Sequence, residues 1–430
     1  MKLHNFQVPR GTADILPNDQ KYWKYFQNKA KETASLFGYE RIDTPTFEDA
    51  GLFLKGTGET TDIIEKETYT FEDRGGDLLT LRPEGTPPVC RAYMENGMHN
   101  LPQPVRLYYT GPFYRYDRPQ AGRYRQLHQF GIELIGESDP SVDAEVIEMA
   151  LRLLQSMGLK DSSLLLNSIG DSKCRPQYIA ELQAYYNSNL AQLAHQDCLK
   201  RLGTNPLRLL DCKFDSCQSL IASAPSALDY LCKDCEKHWA SLLGHLENLS
   251  IPAIIEKRLV RGLDYYTRTV FEIIPPTEGQ QNTIVAGGRY DGLIERLGGR
   301  PTPAIGFGMG IERVIINLKR LNITMPNDAS TKVLLVHMQE ESKKVGLALC
   351  SKLRLSGIAA IVGPTGRSLK GQLRYASAIN ATHAVIIGEH EINQGTIIIR
   401  DMAKSEQQSI NPEDLVQFLT TTQLSELTTE

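Results

Sequence analysis

A strand-like segment that carries charges is the first candidate for chemistry in this sequence. Residues 259–272 read LVRGLDYYTRTVFE, and most of them are types that β-sheets favour, yet Arg261, Asp264 and Arg268 interrupt the run. Successive side chains of a strand point to opposite faces, so one face must hold charge that a plain apolar core would not accept. The segment raises the question of what this strand faces. A simple answer is an ion pair between Arg261 and a nearby acid such as Asp264.

A second group of arginines lies in residues 113–136, FYRYDRPQAGRYRQLHQFGIELIG, which read as strand, loop and strand. Several guanidinium groups that converge on one hairpin suit phosphate oxygens, because each can bind in bidentate fashion. Tyrosines and Gln120 alternate with the arginines, a mixture that suits RNA ends and unstacked bases. A solvated basic hairpin remains the alternative. The arginines are Arg115, Arg118, Arg123 and Arg125.

Three further segments place polar groups or glycines beside strands. In LRPEGTPP (81–88), Glu84 and Thr86 follow a strand among turn residues, where a carboxylate could bind a substrate ammonium or simply lie in a surface turn. The glycines of AGGRYDGL (286–293) permit close approach of a ligand to the backbone, or only a tight turn. PAIGFGMGIERVI (303–315) fits neither the dinucleotide fingerprint nor the P-loop, so any ATP is bound without them.

The cysteines raise the question of a structural metal. Cys212 and Cys217, followed by Cys232 and Cys235, could supply four thiolates for zinc. The four-residue gap between Cys212 and Cys217 is loose, however, and reduced cysteines that pack as small hydrophobic residues are the commoner arrangement. The sequence therefore favours buried thiols over structural zinc, and the metal state of this region stays open.

The elements that must position these residues form more than one domain, because 430 residues are too many for a single core. Helices are expected after Pro17 and at 141–157, and strand-like runs between 66 and 136 favour an antiparallel sheet. YERIDTPTF reads as an edge strand interrupted by Pro45. Residues 171–250 are helix-rich, whereas a βαβαβ rhythm after a linker at 322–330 predicts a separate α/β domain with a largely parallel sheet.

The composition is that of an ordinary globular protein. Hydrophobic residues make up 41%, charged residues make up 23%, and the net charge is −4. The N-terminus lacks the apolar run of a secretory signal, and no apolar stretch is long enough to span a membrane. Eight cysteines in so long a chain fit a reducing compartment. We therefore expect a cytoplasmic protein that does not bind membranes.

Together these segments resemble the histidyl-tRNA synthetase family of class II aminoacyl-tRNA synthetases, in the family's order and over nearly the whole chain. RIDTPTFED (41–49) is similar to motif 1, residues 113–136 look like motif 2, and GFGMGIER (306–313) looks like motif 3. LVRGLDYYTRTVFE and AGGRYDGL match the two signatures peculiar to the histidine enzymes. The helical insertion, including NPLRLLDCK, also looks like that of bacterial members.

The resemblance implies a fold, a reaction and partners. The fold is an α+β catalytic domain with an antiparallel sheet (1–170 and 251–325), a helical insertion (171–250) and an α/β anticodon-binding domain (331–430). The reaction is activation of L-histidine by ATP with Mg²⁺, followed by transfer to the 3′ end of histidine tRNA. Motif 1 implies a homodimer.

The resemblance also assigns roles to residues. Arg261 and Arg115 would contact the α-phosphate, and Arg313 the γ-phosphate. Arg118 and Gln120 would meet the tRNA acceptor end. Glu133 and Tyr266 would bond the two imidazole nitrogens of the substrate. The implied histidine-binding residues are Glu84, Thr86, Gln129, Glu133, Arg261, Tyr265 and Tyr266.

Two other interpretations compete with this one. The first is a non-catalytic paralogue, the regulatory subunit of ATP phosphoribosyltransferase, which typically lacks the C-terminal domain and has lost the Arg-Gly-Leu-Asp-Tyr-Tyr signature. This chain keeps both features. The second is an α/β RNA-binding protein without activity. Exchange of pyrophosphate into ATP that depends on histidine would separate the enzyme from both.

Overall fold

The computed structural model describes residues 6–58, 61, 63–120, 122–193, 195–276, 283–326 and 331–427. The chain divides into two units, Met1–Met325 and Pro326–Glu430, and each has its own hydrophobic core. The linker expected at 322–330 spans this division, and its residues 327–330 lie outside the described part of the chain. None of the described helices is long and apolar enough to cross a membrane.

The first unit contains eleven strands and ten α-helices in its described residues. The strands are β1 (Glu40–Arg41), β2 (Phe47–Asp49), β3 (Tyr69–Glu72), β4 (Leu78–Leu81), β5 (Val105–Tyr114), β6 (Gln126–Ile135), β7 (Ser163–Ser168), β8 (Ala253–Ile255), β9 (Thr267–Ile274), β10 (Val285–Arg289) and β11 (Ala304–Gly310). The helices are α1 (Gln20–Leu36), α2 (Ala50–Thr57), α3 (Thr86–Glu95), α4 (Pro140–Ser156), α5 (Arg175–Ser188), α6 (Gln196–Thr204), α7 (Asp215–Ala222), α8 (Lys233–Asn248), α9 (Leu293–Arg296) and α10 (Ile311–Arg320).

An eight-stranded sheet in the order β1-β5-β6-β11-β10-β9-β7-β8 forms the middle of this unit. The six central strands run antiparallel to one another, and each edge strand pairs in parallel with its neighbour. The antiparallel sheet expected from the sequence is therefore confirmed. The order places β6, β11, β10 and β9 side by side, so the arginine hairpin, both glycine segments and residues 259–272 meet at one place.

The two faces of the sheet differ. Apolar side chains of α1, α4, α8 and α10 pack on one face, where Phe26, Leu153 and Leu246 are buried with Phe130 of β6. Asp139 caps α4 by accepting the backbone N–H of Ser141 at 2.9 Å, which satisfies an otherwise unpaired donor. The opposite face is rich in tyrosine and packs against α3 and α9. Hydroxyl groups on that face make it the better candidate for a binding site.

The structure corrects one expectation for residues 81–88. The strand β4 ends at Leu81 as the sequence suggests, but Thr86 begins the helix α3 rather than continuing a turn. Pro87 and Pro88 read as loop residues, yet proline fits the first turn of a helix because its missing N–H has no partner there anyway. Glu84 and Thr86 are therefore fixed just before and at a helix N-terminus.

A buried ion pair connects the strands that carry the site to the helices behind them. Arg289 Nε donates to Asp143 Oδ1 at 2.7 Å, and both side chains are fully buried. Asp143 Oδ2 accepts a hydrogen bond from Thr269 Oγ1 at 2.6 Å and lies 2.9 Å from His238 Nε2. Removing one partner of such a pair typically costs about 3–5 kcal/mol. The pair therefore fixes β9 and β10 against α4 and α8.

Residues 171–250 are helical, as expected, but they do not form one separate packing unit. A small core of their own includes Tyr178, Leu182 and Leu220. In contrast, Leu242 and Leu246 of α8 pack in the main core together with α4. The last helix of the region therefore belongs to the body of the first unit by its contacts.

The second unit is an α/β domain. Its strands are β12 (Lys332–His337), β13 (Ala359–Val362), β14 (His383–Ile387), β15 (Ile397–Asp401) and β16 (Gln407–Ile410). Its helices are α11 (Glu340–Leu355), α12 (Leu369–Ala378), α13 (Glu389–Gln394) and α14 (Leu415–Leu427). The strand order is β13-β12-β14-β15-β16, in which the first three strands are parallel and β15 and β16 are antiparallel. The short helix α13 and the strand β16 are additions to the βαβαβ pattern that the sequence predicts.

Candidate active site

A cavity of about 570 Å³ lies on the tyrosine-rich face of the large sheet. Its walls come from the end of β4, the start of α3, the β5–β6 hairpin, the loop before β9, and the junction of β11 with α10. These segments are far apart in sequence and are brought together by the strand order. The residues predicted from the sequence that line the cavity are Glu84, Thr86, Arg115, Gln129, Arg261, Tyr265, Tyr266 and Arg313.

One end of the cavity holds a buried carboxylate. Glu84 is 4% exposed, and its two oxygens accept hydrogen bonds from Tyr265 Oη at 2.6 Å and Thr57 Oγ1 at 2.7 Å. Burial raises the pKa of Glu84, while these two hydroxyls and the nearby Arg115 oppose that shift. A carboxylate held in this way is suited to a cationic group such as an ammonium, which would supply the charge that burial removes.

Glu133 lies one layer behind this end rather than on the cavity wall. Its carboxylate accepts hydrogen bonds from Thr86 Oγ1 at 2.8 Å, from Tyr109 Oη at 3.2 Å and from the hydroxyl of Tyr290. A Cβ atom on Gly306 would come within 2.1 Å of Glu133 Oε2, so only glycine allows the neighbouring strand this close. The glycine segment at 303–310 thus makes room for a buried carboxylate.

Tyr109 and Tyr290 are site residues that the motif reading did not assign. Tyr109 lines the cavity and is bonded to Glu133, and a Cβ on Gly131 would touch its ring at 2.3 Å. Tyr290 follows the glycines of the AGGRYDGL segment and is buried against Tyr265, with ring centroids 5.8 Å apart. The sequence could have identified Tyr290 as a site residue, because it lies within that signature. Nothing in the sequence distinguishes Tyr109 from an ordinary strand residue.

Glu133 provides a pH prediction. Desolvation raises its pKa from 4.5 to about 8, against the opposing effect of the three hydroxyls. Because the folded state favours the protonated acid, Glu133 should cost stability progressively as pH rises from its unfolded pKa toward that value. We expect the melting temperature of the wild-type protein to fall with rising pH relative to that of Glu133→Gln, which cannot ionise.

Differential scanning fluorimetry of the two proteins from about pH 5 to pH 9 measures this difference. Glu95→Gln is the control, because the Glu95 side chain, at the end of helix α3, is 64% exposed. Its melting temperature should follow the wild-type curve. A difference between wild type and Glu133→Gln that does not change with pH would show that Glu133 is ionised throughout.

Arg261 lines the cavity, and its partner is not Asp264, the acid that the simple ion-pair alternative named. The Nη1 of Arg261 forms an ion pair with one oxygen of Glu272. The other oxygen of Glu272 accepts a hydrogen bond from Thr283 Oγ1 at 2.7 Å. Asp264 instead accepts a hydrogen bond from Asn205 Nδ2 at 2.8 Å. Among the described residues, the buried Arg261 Nε has no hydrogen-bond partner. A buried donor without a partner costs free energy unless a ligand satisfies it.

The guanidinium groups of Arg115, Arg123 and Arg313 also line the cavity. Arg115 Nε donates to the carbonyl of Pro83 at 2.8 Å, and Arg313 Nη1 donates to the carbonyl of Thr283 at 2.6 Å. Burial lowers the pKa of Arg313, and the positive charges of Arg123 and Arg115 lower it further. Arginine remains charged under all ordinary conditions, so these groups repel one another. A polyanion such as a triphosphate would relieve that repulsion.

The tip of the β5–β6 hairpin lies outside the cavity. Arg118 and Gln120 are exposed, and Gln120 pairs with Arg123 through the backbone at 2.8 Å. The guanidinium of Arg125 lies 3.8 Å from the ring centroid of Tyr116. The exposed tip can therefore meet a large partner that approaches the cavity mouth, whereas Arg115 and Arg123 face inward.

The helical region contributes residues that sequence reasoning did not place at the site. Arg201, Arg208, Asp211 and Lys213 line the same cavity. The hydrogen bond from Asn205 holds the loop at 261–266 from the same side. Arg208, Asp211 and Lys213 belong to the segment NPLRLLDCK, so the pattern was visible in the sequence but its location was not.

The four cysteines considered for zinc do not converge. Cys212 and Cys217 lie in the small core of the helical region with Cys198, which is 4.0 Å from Cys217 between sulfurs. Cys232 and Cys235 lie at the start of α8, beside Asp171 and Cys174. They lie apart because α8 packs on the body of the first unit and α7 packs within the helical region, so a zinc site of these four cysteines, which the sequence already disfavoured, does not form.

Comparison with known proteins shows the family. The histidyl-tRNA synthetase family model matches residues 11–314, and the anticodon binding domain model matches residues 332–422. The chain belongs to the histidyl-tRNA synthetase family. As in that family, it is an ATP-dependent ligase of tRNA aminoacylation, a two-step reaction that uses histidine and tRNA.

Individual relatives support the histidyl-tRNA synthetase assignment over almost the full length. A histidine–tRNA ligase from Dehalococcoides mccartyi (strain ATCC BAA-2266 / KCTC 15142 / 195) is 55% identical over 96% of this chain and 98% of its own. Another from Desulforamulus reducens is 47% identical over the same shares. The crystal structure of apo histidyl-tRNA synthetase from S. aureus has a TM-score of 0.81 at 36% identity and covers 96% of this chain and 99% of its own. Together with the match to the anticodon-binding domain, these full-length relatives exclude both rival interpretations, the regulatory paralogue and the inactive RNA-binding protein.

Proposed function

We propose that the cavity activates L-histidine with ATP and then transfers it to the 3′ end of histidine tRNA, with the residue roles given below. The observation that carries the proposal is the meeting of two opposite environments in one space. A buried carboxylate with hydroxyl groups lies at one end, and six arginines line the same cavity, namely Arg115, Arg123, Arg201, Arg208, Arg261 and Arg313. An amino acid and a triphosphate need these two environments side by side.

At the first end, Glu84 would bind the α-ammonium of histidine, with Thr86 and Gln129 beside it. Tyr266 is 6% exposed and lines the cavity, where its hydroxyl can meet one imidazole nitrogen. Glu133 would hydrogen-bond the other nitrogen, either directly or through Tyr109, whose hydroxyl donates a hydrogen bond to Glu133 at 3.2 Å. A side chain without two ring nitrogens would leave these buried polar groups unpaired, which supports selection for histidine.

At the second end, the arginines would orient ATP for in-line attack. A carboxylate oxygen of histidine forms a bond to the α-phosphorus as the bond to pyrophosphate breaks, so no separate base is needed. Arg261 and Arg115 would stabilise the extra negative charge on the α-phosphate, and Arg313 would hold the γ-phosphate. In the second step a ribose hydroxyl of tRNA forms a bond to the carbonyl carbon as the bond between that carbon and the phosphate oxygen breaks, so that AMP leaves and the hydroxyl proton is released.

Mg²⁺ would accompany ATP in this cavity. Glu272 and Glu312 line it and offer the oxygen ligands that Mg²⁺ prefers. When bound, the ion supplies positive charge to the phosphate oxygens. Glu272 now pairs with Arg261, so ligand binding would redistribute these charges.

The remaining parts of the chain would bind tRNA. We place the catalytic core at 1–170 and 251–325, the helical insertion at 171–250 and the anticodon-binding domain at 331–430. Arg118 and Gln120, at the exposed hairpin tip, would meet the acceptor end. The match of residues 332–422 to the anticodon binding domain supports the role of the second unit.

The Glu84 assignment leads to a prediction that separates the two ends of the cavity. Glu84→Gln keeps the shape of the side chain but removes the charge that would pair with the ammonium. Truncating one partner of a buried charge pair costs about 2–5 kcal/mol, so the KM for histidine should rise by at least about 30-fold. The KM for ATP should stay near its wild-type value, and Glu95→Gln should change neither.

Steady-state pyrophosphate exchange with each substrate varied in turn gives both constants. Equal effects on the two KM values would contradict a specific ammonium contact. An unchanged KM for histidine would assign Glu84 a role only in holding Tyr265.

We also propose a homodimer that forms through the small sheet of β2, β4 and β3. One face of this sheet carries apolar side chains from all three strands, with Asp49 of the edge strand β2 beside them, as the strand registers show. Phe47 is 52% exposed and Phe71 is 43% exposed on this face, an arrangement typical of an interface. The remaining members are Tyr69, Leu79 and Leu81. β2 belongs to the segment that resembles motif 1, which supports the same assignment.

Phe71→Asp should convert the dimer to a monomer, because a carboxylate would be buried without a partner in the interface. Size-exclusion chromatography with light scattering measures the mass. Leu355→Asp is the matched control, since Leu355 is 87% exposed on α11 of the second unit and should leave the mass unchanged. A monomeric wild-type protein, or a dimeric Phe71→Asp variant, would contradict this interface.

A further inference from the structure

The two ends of the helical insertion meet at a cluster of three thiols and a carboxylate. Asp171 and Cys174 come just before α5, and Cys232 and Cys235 stand at the start of α8. One ligand atom from each of these four residues lies within 4.8 Å of every other. Fifty-seven residues separate Cys174 from Cys232 in sequence, and the fold alone brings the two pairs together.

The spacing of the donor atoms suits a tetrahedral metal ion. With Zn–S bonds of about 2.3 Å, the sulfurs of a tetrahedral site lie about 3.8 Å apart. The sulfurs of Cys174 and Cys235 are 3.8 Å apart, and Asp171 Oδ1 lies 3.6 Å from the Cys174 sulfur. Both pairs have the two-residue gap of metal-binding turns, Asp171-x₂-Cys174 and Cys232-x₂-Cys235.

The surroundings of the cluster match the outer contacts of a metal site. Asp171 uses one oxygen toward the sulfurs and the other for Arg268 Nη2, at 3.3 Å. The backbone N–H of Asp171 points to the Cys174 sulfur at 3.4 Å. Second contacts of this kind fix the orientation of ligands, and Arg268 supplies positive charge beside an anionic group. The backbone of Arg268 is left-handed, with φ of 52°, a conformation that must be held by its neighbours.

We propose that Asp171, Cys174, Cys232 and Cys235 form a structural zinc site that joins the two ends of the insertion to β9. Three thiolates and one carboxylate make a closed four-ligand set with no position left for a substrate. The Asp171 side chain is only 13% exposed, and besides its contacts with Arg268 and with the backbone N–H of Lys173 its carboxylate faces the thiols.

The site lies next to the histidine pocket. Arg175, which follows Cys174, donates from Nη2 to the backbone carbonyl of Tyr266 at 2.6 Å. Arg268 and Gly170 share a backbone hydrogen bond at 2.7 Å. Loss of the metal should therefore loosen the insertion and the loop that carries Tyr266, and so lower thermal stability.

Native mass spectrometry and elemental analysis of the full-length protein, purified without chelators, test the site. The wild type should hold zinc, and Cys232→Ser and Asp171→Asn should each lose one equivalent. Cys350→Ser, a buried cysteine of the second unit, should keep the wild-type content. Cys212→Ser should keep the zinc of this site too, because Cys212 belongs to the separate group with His195 and Cys198.

A second measurement does not depend on the folding of any variant. Cobalt added to the metal-free wild-type protein should give the absorption of a tetrahedral cobalt–thiolate centre. Wild-type protein without zinc and without that absorption would overturn the proposal. So would zinc that is retained in Cys232→Ser but lost in Cys212→Ser, or an intact-mass analysis that finds Cys174 and Cys235 joined as a disulfide.

Discussion

Replacement of Arg261 by alanine should abolish histidine activation in a folded protein. Arg261 lines the cavity, and its Nε is a buried donor without a partner among the described residues. We expect kcat for pyrophosphate exchange to fall by at least about 10²–10³-fold, because a fixed charge aimed at the transition state is lost. The KM for histidine should change much less than kcat.

Arg258→Ala is the matched control for this experiment. Arg258 lies three residues earlier in the chain, is 46% exposed and pairs with Glu256 at 3.1 Å. Its loss should leave both constants unchanged. Circular dichroism should show that both variants fold.

The competing reading is that Arg261 serves only to neutralise Glu272. In that case Arg261→Ala should lower the melting temperature, because Glu272 loses its partner, but should leave kcat near its wild-type value. A near-normal kcat in Arg261→Ala would assign Arg261 to structure alone.

Deletion of residues 331–430 should separate the two steps of the reaction. The second unit has its own core, in which Leu335, Leu349 and Val385 are buried, and every residue assigned to the cavity precedes position 314. Histidine activation should therefore survive in the truncated protein if it still forms the dimer. The kcat/KM for tRNA in the charging reaction should fall by at least about tenfold, a loss of about 1.4 kcal/mol in tRNA binding.

Salt dependence supplies an independent readout for the truncation. Each phosphate contact that is lost should flatten the slope of log affinity against log salt by about 0.7–0.9. A filter-binding titration at several salt concentrations measures that slope for the full-length and truncated proteins. Equal losses of activation and charging in a dimeric truncated protein would contradict a dedicated tRNA-binding role and indicate a structural one.

Three arginines of the cavity could be predicted from the sequence because they lie in recognisable motifs. Arg115, Arg261 and Arg313 occur in charged segments next to strands, and all three line the cavity. Thr86 and Glu84 also reach the cavity, although the helix that begins at Thr86 was read as a turn. Local patterns therefore identified these side chains even where the local structure was wrong.

Contacts that depend on strand order could not be predicted in the same way. Glu133 is held by Tyr109 and Tyr290 from β5 and the end of β10, and only the register of these strands brings the three together. The grouping of the cysteines depends in the same way on how α8 packs. Cys235 meets Cys174 rather than Cys217 because α8 leaves the insertion and joins the main core.

Exchange of labelled pyrophosphate into ATP tests the central claim most directly. The measurement compares the purified full-length protein with L-histidine, with each of several other amino acids and with no amino acid, in the presence of Mg²⁺. If the cavity joins histidine to the α-phosphate of ATP, labelled ATP should form only with histidine. Exchange that is no faster with histidine than without an amino acid would contradict the account.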